Sequence, residues 1–148
     1  MTSVDPSDGW HHVDDGPFAG WLTWPADPFE TRNGPFYFRA GPDGNAHGVF
    51  VPDGRHVNGH GIIHGGALLT FADTMAGSVL QLTLNGQLGV TVTLNSEFVG
   101  PGRPGAPIEA TGHVVRATRS LVFVQGLLVQ GDQPILTFSS VLKKVAPS

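Results

Sequence analysis

The sequence predicts an α+β domain in which one long helix lies against an antiparallel sheet of five or six strands. Three observations carry this. A single helix-length apolar segment, Ala67 to Leu82, sits near the middle of the chain. Alternating or aromatic-rich runs lie on both sides of it. Gly and Pro, 21 and 12 of the 148 residues, are concentrated between these runs.

Before the helix, Pro35 to Arg39 is aromatic-rich, Gly41 to Asn45 reads as a turn and His47 to Val51 as a second strand. His56 to Gly66 holds four glycines, which suits a loop with special backbone angles rather than a regular element. In the helix, Leu68, Ala72, Met75, Val79 and Leu82 share one side at 3.6 residues per turn. Thr70, Thr74, Ser78 and Gln81 form a narrow polar stripe, and Asn85-Gly86 ends the element. Val90 to Phe98 follows as a half-buried strand, with Val90, Val92 and Leu94 on one face and Thr91, Thr93, Asn95 and Glu97 on the other. After the turn cluster Gly100 to Pro107, three more strands are expected at Ile108 to Val115, Leu121 to Gln130 and Ile135 to Val145. Leu121 to Val124 is apolar on both faces, as if both were covered, one of them by another subunit. Residues 1–33, with Trp10, Trp21, Trp24 and several prolines, read as a strap lying on the domain formed by residues 34–148.

Composition narrows the function. The length fits one domain, and 40% hydrophobic with 14% charged residues argues against disorder. A net charge of -4 does not suit nucleic acid as a partner. With no cysteine there is no disulfide framework, no thiolate nucleophile and no Cys-based zinc site. The acidic stretch Met1 to Trp10 is unlike a signal peptide, and no run approaches the roughly 20 apolar residues that span a bilayer. The expectation is a cytoplasmic protein with no membrane partner.

The segment richest in chemistry is Asn58-Gly59-His60-Gly61-Ile62-Ile63-His64-Gly65-Gly66, leading to Asp73. Glycines that deliver the chain to a helix start leave free N–H groups carrying partial positive charge, able to hold a carbonyl oxygen as it becomes an oxyanion. Asp73, two turns on, lies at the margin of the polar stripe, where partial desolvation would raise its basicity. Each feature also has a plainer reading: the glycines as a tight turn, Asp73 as the edge of a solvated face. His56, His60 and His64 fall four apart, but Gly59 and Gly61 oppose a helix there, so no metal site is expected. Arg103, Arg116, Arg119, Lys143 and Lys144 could contact phosphates, although each alone is ordinary surface charge. No nucleophile elbow, phosphate loop or dinucleotide fingerprint is present.

The pattern Asn58-x-x-Gly61-x-x-His64-Gly65-Gly66 followed by Asp73 resembles the hotdog-fold acyl-CoA thioesterases of the PaaI-like, phenylacetate-degradation type within the 4-hydroxybenzoyl-CoA thioesterase superfamily. Gly89 to Phe98 and the Gly/Pro turn after it are similar to that family's strand behind the central helix, and the likeness runs from about Gly34 to Val145. The resemblance implies that Asp73 is the general base or nucleophile at the thioester carbonyl and that the Gly65 N–H polarises that carbonyl. It further implies that Asn58 orients water or substrate, that His64 shapes the loop, and that the Thr91 hydroxyl stands near the attacking water. Gly66, Arg116 and Arg119 would contact substrate. The site would lie between two subunits of a homodimer, with two dimers commonly paired into a tetramer, and no metal or cofactor would be used beyond the coenzyme A of the substrate. The expected reaction is hydrolysis of a small or medium acyl- or aryl-CoA. The alternatives are a non-catalytic acyl-CoA-binding hotdog protein and a hotdog hydratase or dehydratase.

Overall fold

The computed structural model describes residues 9–146. One long helix, α2 (Gly65–Thr83), crosses a single antiparallel sheet. The strands are β1 (His11–His12), β2 (Leu22–Thr23), β3 (Phe36–Ala40), β4 (Ala46–Phe50), β5 (Leu88–Phe98), β6 (Ile108–Ala117), β7 (Leu121–Gln130) and β8 (Gln133–Val145). Their order across the sheet is β1-β2-β3-β4-β6-β7-β8-β5. The count is therefore eight strands, not five or six. The two additional strands are two-residue pieces of the strap that extend the sheet beyond β3, too short to show alternation. Among the described residues no helix is long and apolar enough to cross a membrane.

The strap is held by its aromatics. Trp10 is buried against Phe38 and Trp24, and its indole N–H donates to Gln81 Oε1 at 2.7 Å. Trp21 stacks beneath the Arg39 guanidinium, 4.1 Å from the ring centroid. The prolines prevent a long helix but not a short one: α1 spans Pro28–Asn33, with Pro28 in its first turn. Asp27 caps it, accepting from the N–H groups of Phe29 and Glu30 at 2.9 and 3.0 Å.

Burial of α2 runs round most of its circumference. Leu68, Ala72, Met75 and Val79 are buried as expected, together with Phe71, Ala76 and Leu80. Phe71 stacks on Phe36 at 5.4 Å, and Leu82 is only half-buried. Ser78, assigned to the polar stripe, is buried, its hydroxyl satisfied by the Thr74 carbonyl at 2.9 Å. The helix starts two residues earlier than expected, so Gly65 and Gly66 form its first turn. In the preceding loop only Gly61 has a positive φ, 78°.

Close approach of helix and sheet depends on a missing side chain. A β-carbon on Gly112 of β6 would lie 2.7 Å from Val79 Cγ2, inside the core. Gly112→Val is expected to destabilise the fold by about 1–3 kcal/mol in urea unfolding, because the helix must be pushed off the sheet. Unchanged stability would contradict this packing.

The phase of β5 is the principal correction. Thr91 lies opposite Leu142 and Thr93 opposite Val141, so Val92 is an extra, bulged residue. Strict alternation fails across it. Thr91 shares the helix-side face with Leu94, while Val90, Thr93 and Asn95 face outward. The strand is also the sheet's edge and not half-buried throughout: Val90 and Val92 are 57% and 59% exposed.

Candidate active site

The approach to α2 is built by a loop that satisfies itself. Asn58 Oδ1 accepts from His60 N–H at 2.8 Å, the Gly61 N–H donates to the Asn58 carbonyl, and the Asn58 N–H donates to the Ile62 carbonyl. His64 then acts as N-cap, its Nδ1 accepting the Gly66 N–H at 2.8 Å, which places the ring proton on Nε2. That cap settles the division of labour between the two glycines. The Gly66 N–H is committed to His64, whereas the Gly65 N–H has no partner within the described chain. It stands at the positive end of a 19-residue helix. The buried His56 is also structural: its Nδ1 accepts the Asp53 N–H, and Nε2 meets the Asn33 carbonyl at 2.7 Å.

Asp73 lies two turns along α2. The Thr91 hydroxyl donates to its Oδ1 at 2.7 Å, a contact made possible by the bulge that turns Thr91 toward the helix. With one oxygen held, the other is free to accept a proton from water. In the single chain Asp73 is exposed and not partly desolvated as expected, but it lines a cleft instead of a flat surface. One lobe, about 430 Å³, has Phe29, Leu69 and Leu94 as apolar walls with Asp73 and Thr74 between them. A smaller lobe, about 180 Å³, brings Thr91 and Gln81 to the same carboxylate.

Sequence reasoning missed the contribution of the strap. Trp24, Asp27, Phe29 and Glu30 line the cleft around Asp73. The available signal was Asp27-Pro28-Phe29-Glu30, a capping residue, a proline and an acid in helix-start order. Burial pushes the Glu30 carboxyl up to about 7, assisted by the charges of Asp27 and Asp73 and opposed by the Thr74 hydroxyl.

The structure brings Asp73 and Thr91 together, sets Gly66 on the wall of the larger lobe with Asp73, and leaves the other candidates outside the cleft within one chain. Gly65 is eight residues from Asp73, roughly 12 Å along the helix axis at 1.5 Å per residue. Asn58 and His64 do not line the Asp73 cleft. Arg116 lines a separate concavity of about 520 Å³ with Thr93, Phe123 and Val141, on the sheet face turned away from the helix. Arg119 is exposed at the turn into β7.

Comparison with known proteins bears on the family and the fold. The family model described as the thioesterase superfamily matches residues 60–137, from the site loop through most of the sheet. Acyl-coenzyme A thioesterase 13 from Mus musculus is 32% identical over 69 residues, 47% of this chain and 49% of that protein. The Homo sapiens protein of the same name is 34% identical over the same shares. The match thus spans about half the length of these curated relatives. In fold, the chain is similar to the E. coli PaaI protein from the phenylacetic acid degradation operon: TM-score 0.73, 20% identity, 82% of this chain and 87% of that one. It is also similar to a Streptococcus pneumoniae hypothetical thioesterase solved with coenzyme A, with TM-score 0.68, 18% identity and coverage of 75% and 89%. A helix wrapped by an antiparallel sheet is the hotdog fold that these solved structures share, and the chain belongs to the thioesterase superfamily.

Proposed function

We propose that the protein is an acyl-CoA thioesterase whose site is completed by a second copy of the chain. The observation that carries the reading is a division within one chain. A base, Asp73, is oriented by Thr91 in an apolar-walled cleft, while the free Gly65 N–H sits a further roughly 12 Å away on the same helix. Both cannot act on one carbonyl unless Asp73 of one subunit meets Gly65 of another. The free edge strand β5, with exposed Val90 and Val92, offers the means: edge-to-edge pairing would continue the sheet and cover that edge. Pairing of two such dimers into a tetramer follows the family pattern.

In this reading the acyl or aryl group lies against Phe29, Leu69 and Leu94. Asp73 takes a proton from water, and the water oxygen bonds to the thioester carbon. The developing oxyanion is held by the partner's Gly65 N–H, and collapse of the tetrahedral adduct breaks the C–S bond. The products are the free acid and coenzyme A, whose thiolate takes up a proton. The Asn58 amide N–H groups serve the carbonyl or the water, since Oδ1 is already used by the loop. His64 acts indirectly, by capping α2 and leaving Gly65 free. Arg116 and Arg119 are assigned to coenzyme A phosphates presented by a neighbouring subunit.

Release of free thiol from short, medium and aryl acyl-CoAs by the purified protein tests this reading. Acyl-CoA binding without turnover would make it the non-catalytic module, and turnover of an enoyl-CoA alone would make it the hydratase.

A further inference from the structure

The acid on the strap helix has no part in the chemistry above, although it lines both lobes of the Asp73 cleft. Asp27 lines them too, but its Oδ1 is committed to capping α1. Among the described residues that line the two lobes, the ionisable ones are Asp27, Glu30 and Asp73; no lysine, arginine or histidine stands among them. Thr74 of α2, Thr91 of β5 and Trp24 of the strap supply the neutral neighbours. A proton on Glu30 is therefore favoured first by burial and then by the neighbouring carboxylates, with no cation among these lining residues to oppose it.

We propose that Glu30 is a positioning residue of the hydrolytic site, acting through Asp73: its ionisation places a second negative charge in the cleft, which favours transfer of a proton from water to Asp73. The proposal rests on the reading of Asp73 as the base that deprotonates water. When Asp73 takes that proton, its repulsion with an ionised Glu30 disappears, so the charged form of Glu30 lowers the barrier. Below its titration Glu30 is neutral and the gain is absent. Burial and the neighbouring carboxylates hold that titration near neutrality, at about 7, instead of in the ordinary carboxylate range. Turnover therefore rises with pH across this window, well above the range in which an ordinary aspartate ionises.

The experiment is the pH profile of kcat for acyl-CoA hydrolysis by the wild type, Glu30→Gln, Asp27→Asn and Asp73→Asn. Wild type should rise about threefold to tenfold between about pH 6 and about pH 8. Glu30→Gln, a neutral near-isostere, should fold as wild type by circular dichroism and thermal unfolding and stay at the low plateau. Asp27→Asn keeps the helix cap but removes one repelling charge, so its step should move to lower pH. A wild-type step surviving in Glu30→Gln, an unmoved midpoint in Asp27→Asn, or a wild-type rate that falls across the window would overturn the proposal. Loss of turnover in Asp73→Asn with an unchanged Glu30→Gln profile sinks this proposal alone. Equal inactivity of wild type and Asp73→Asn sinks the base reading and this one with it.

Discussion

Asp73→Asn is expected to lower kcat for acyl-CoA hydrolysis by about 10²–10⁴-fold, the usual contribution of a positioned general base. KM should change little, because an amide of the same shape still fills the cleft and still accepts the Thr91 hydrogen bond now made at 2.7 Å. Stability should stay within about 0.5 kcal/mol of wild type, since the side chain is exposed in the single chain and leaves no cavity behind. A loss confined to kcat, with folding intact, separates a missing base from a damaged scaffold. If activity survives unchanged, the carboxylate is only part of a solvated helix face.

Gly65→Pro isolates the other half of the reaction. Proline at the first helical position is well tolerated, because the N–H it removes makes no intrahelical bond. His64, at φ -58 and ψ 135, already has the extended backbone that a residue before proline requires. The substitution thus deletes one donor and adds a ring whose β-carbon, like alanine's, approaches Phe98. It is expected to cost about 10²–10³-fold in kcat, the typical loss for one oxyanion donor. Gly65→Ala is the matched control. It adds a β-carbon 3.1 Å from the Phe98 ring, whose exposed side chain can yield, but it keeps the N–H. Alanine should retain most of the activity that proline loses. Equal losses in the two variants would point to crowding by Phe98 and remove Gly65 from the mechanism.

The parts of this molecule legible in the sequence are those governed by local periodicity. Leu68, Ala72, Met75 and Val79 mark α2 because a helix repeats its buried face every three to four residues, and β6, β7 and β8 lie close to their expected ranges. The loop from Asn58 to Gly66 is likewise local: its spacing carried the family likeness, and Gly65 and His64 stand at the helix start. What was not legible depends on contacts across the sequence. The bulge at Val92 inverts the phase of β5, and alternating Val and Thr cannot reveal it, because the extra residue shows only against Leu142 and Val141 of β8. Thr91 was named through family likeness; its contact with Asp73 joins residues 18 apart and follows from that bulge. Ser78, read as part of the polar stripe, is buried because contacts distant in sequence cover part of that side as well. Glu30 escaped notice because six-residue α1 has no buried residue, and its place over Asp73 is set by Trp10 and Trp24 packing elsewhere. Arg116, expected near substrate, faces away from the helix because its strand presents it on the outer side.

The most direct measurement is complementation between two inactive variants. Asp73→Asn and Gly65→Pro, co-refolded in equal amounts, assemble at random and give heterodimers in about half of all pairs. Each heterodimer holds one site with both defects and one with neither, if every site takes Asp73 from one subunit and Gly65 from the other. The mixture should regain about a quarter of wild-type activity. Activity no greater than that of the two variants assayed apart would mean that each site is assembled within a single chain, and the shared-site account would be wrong.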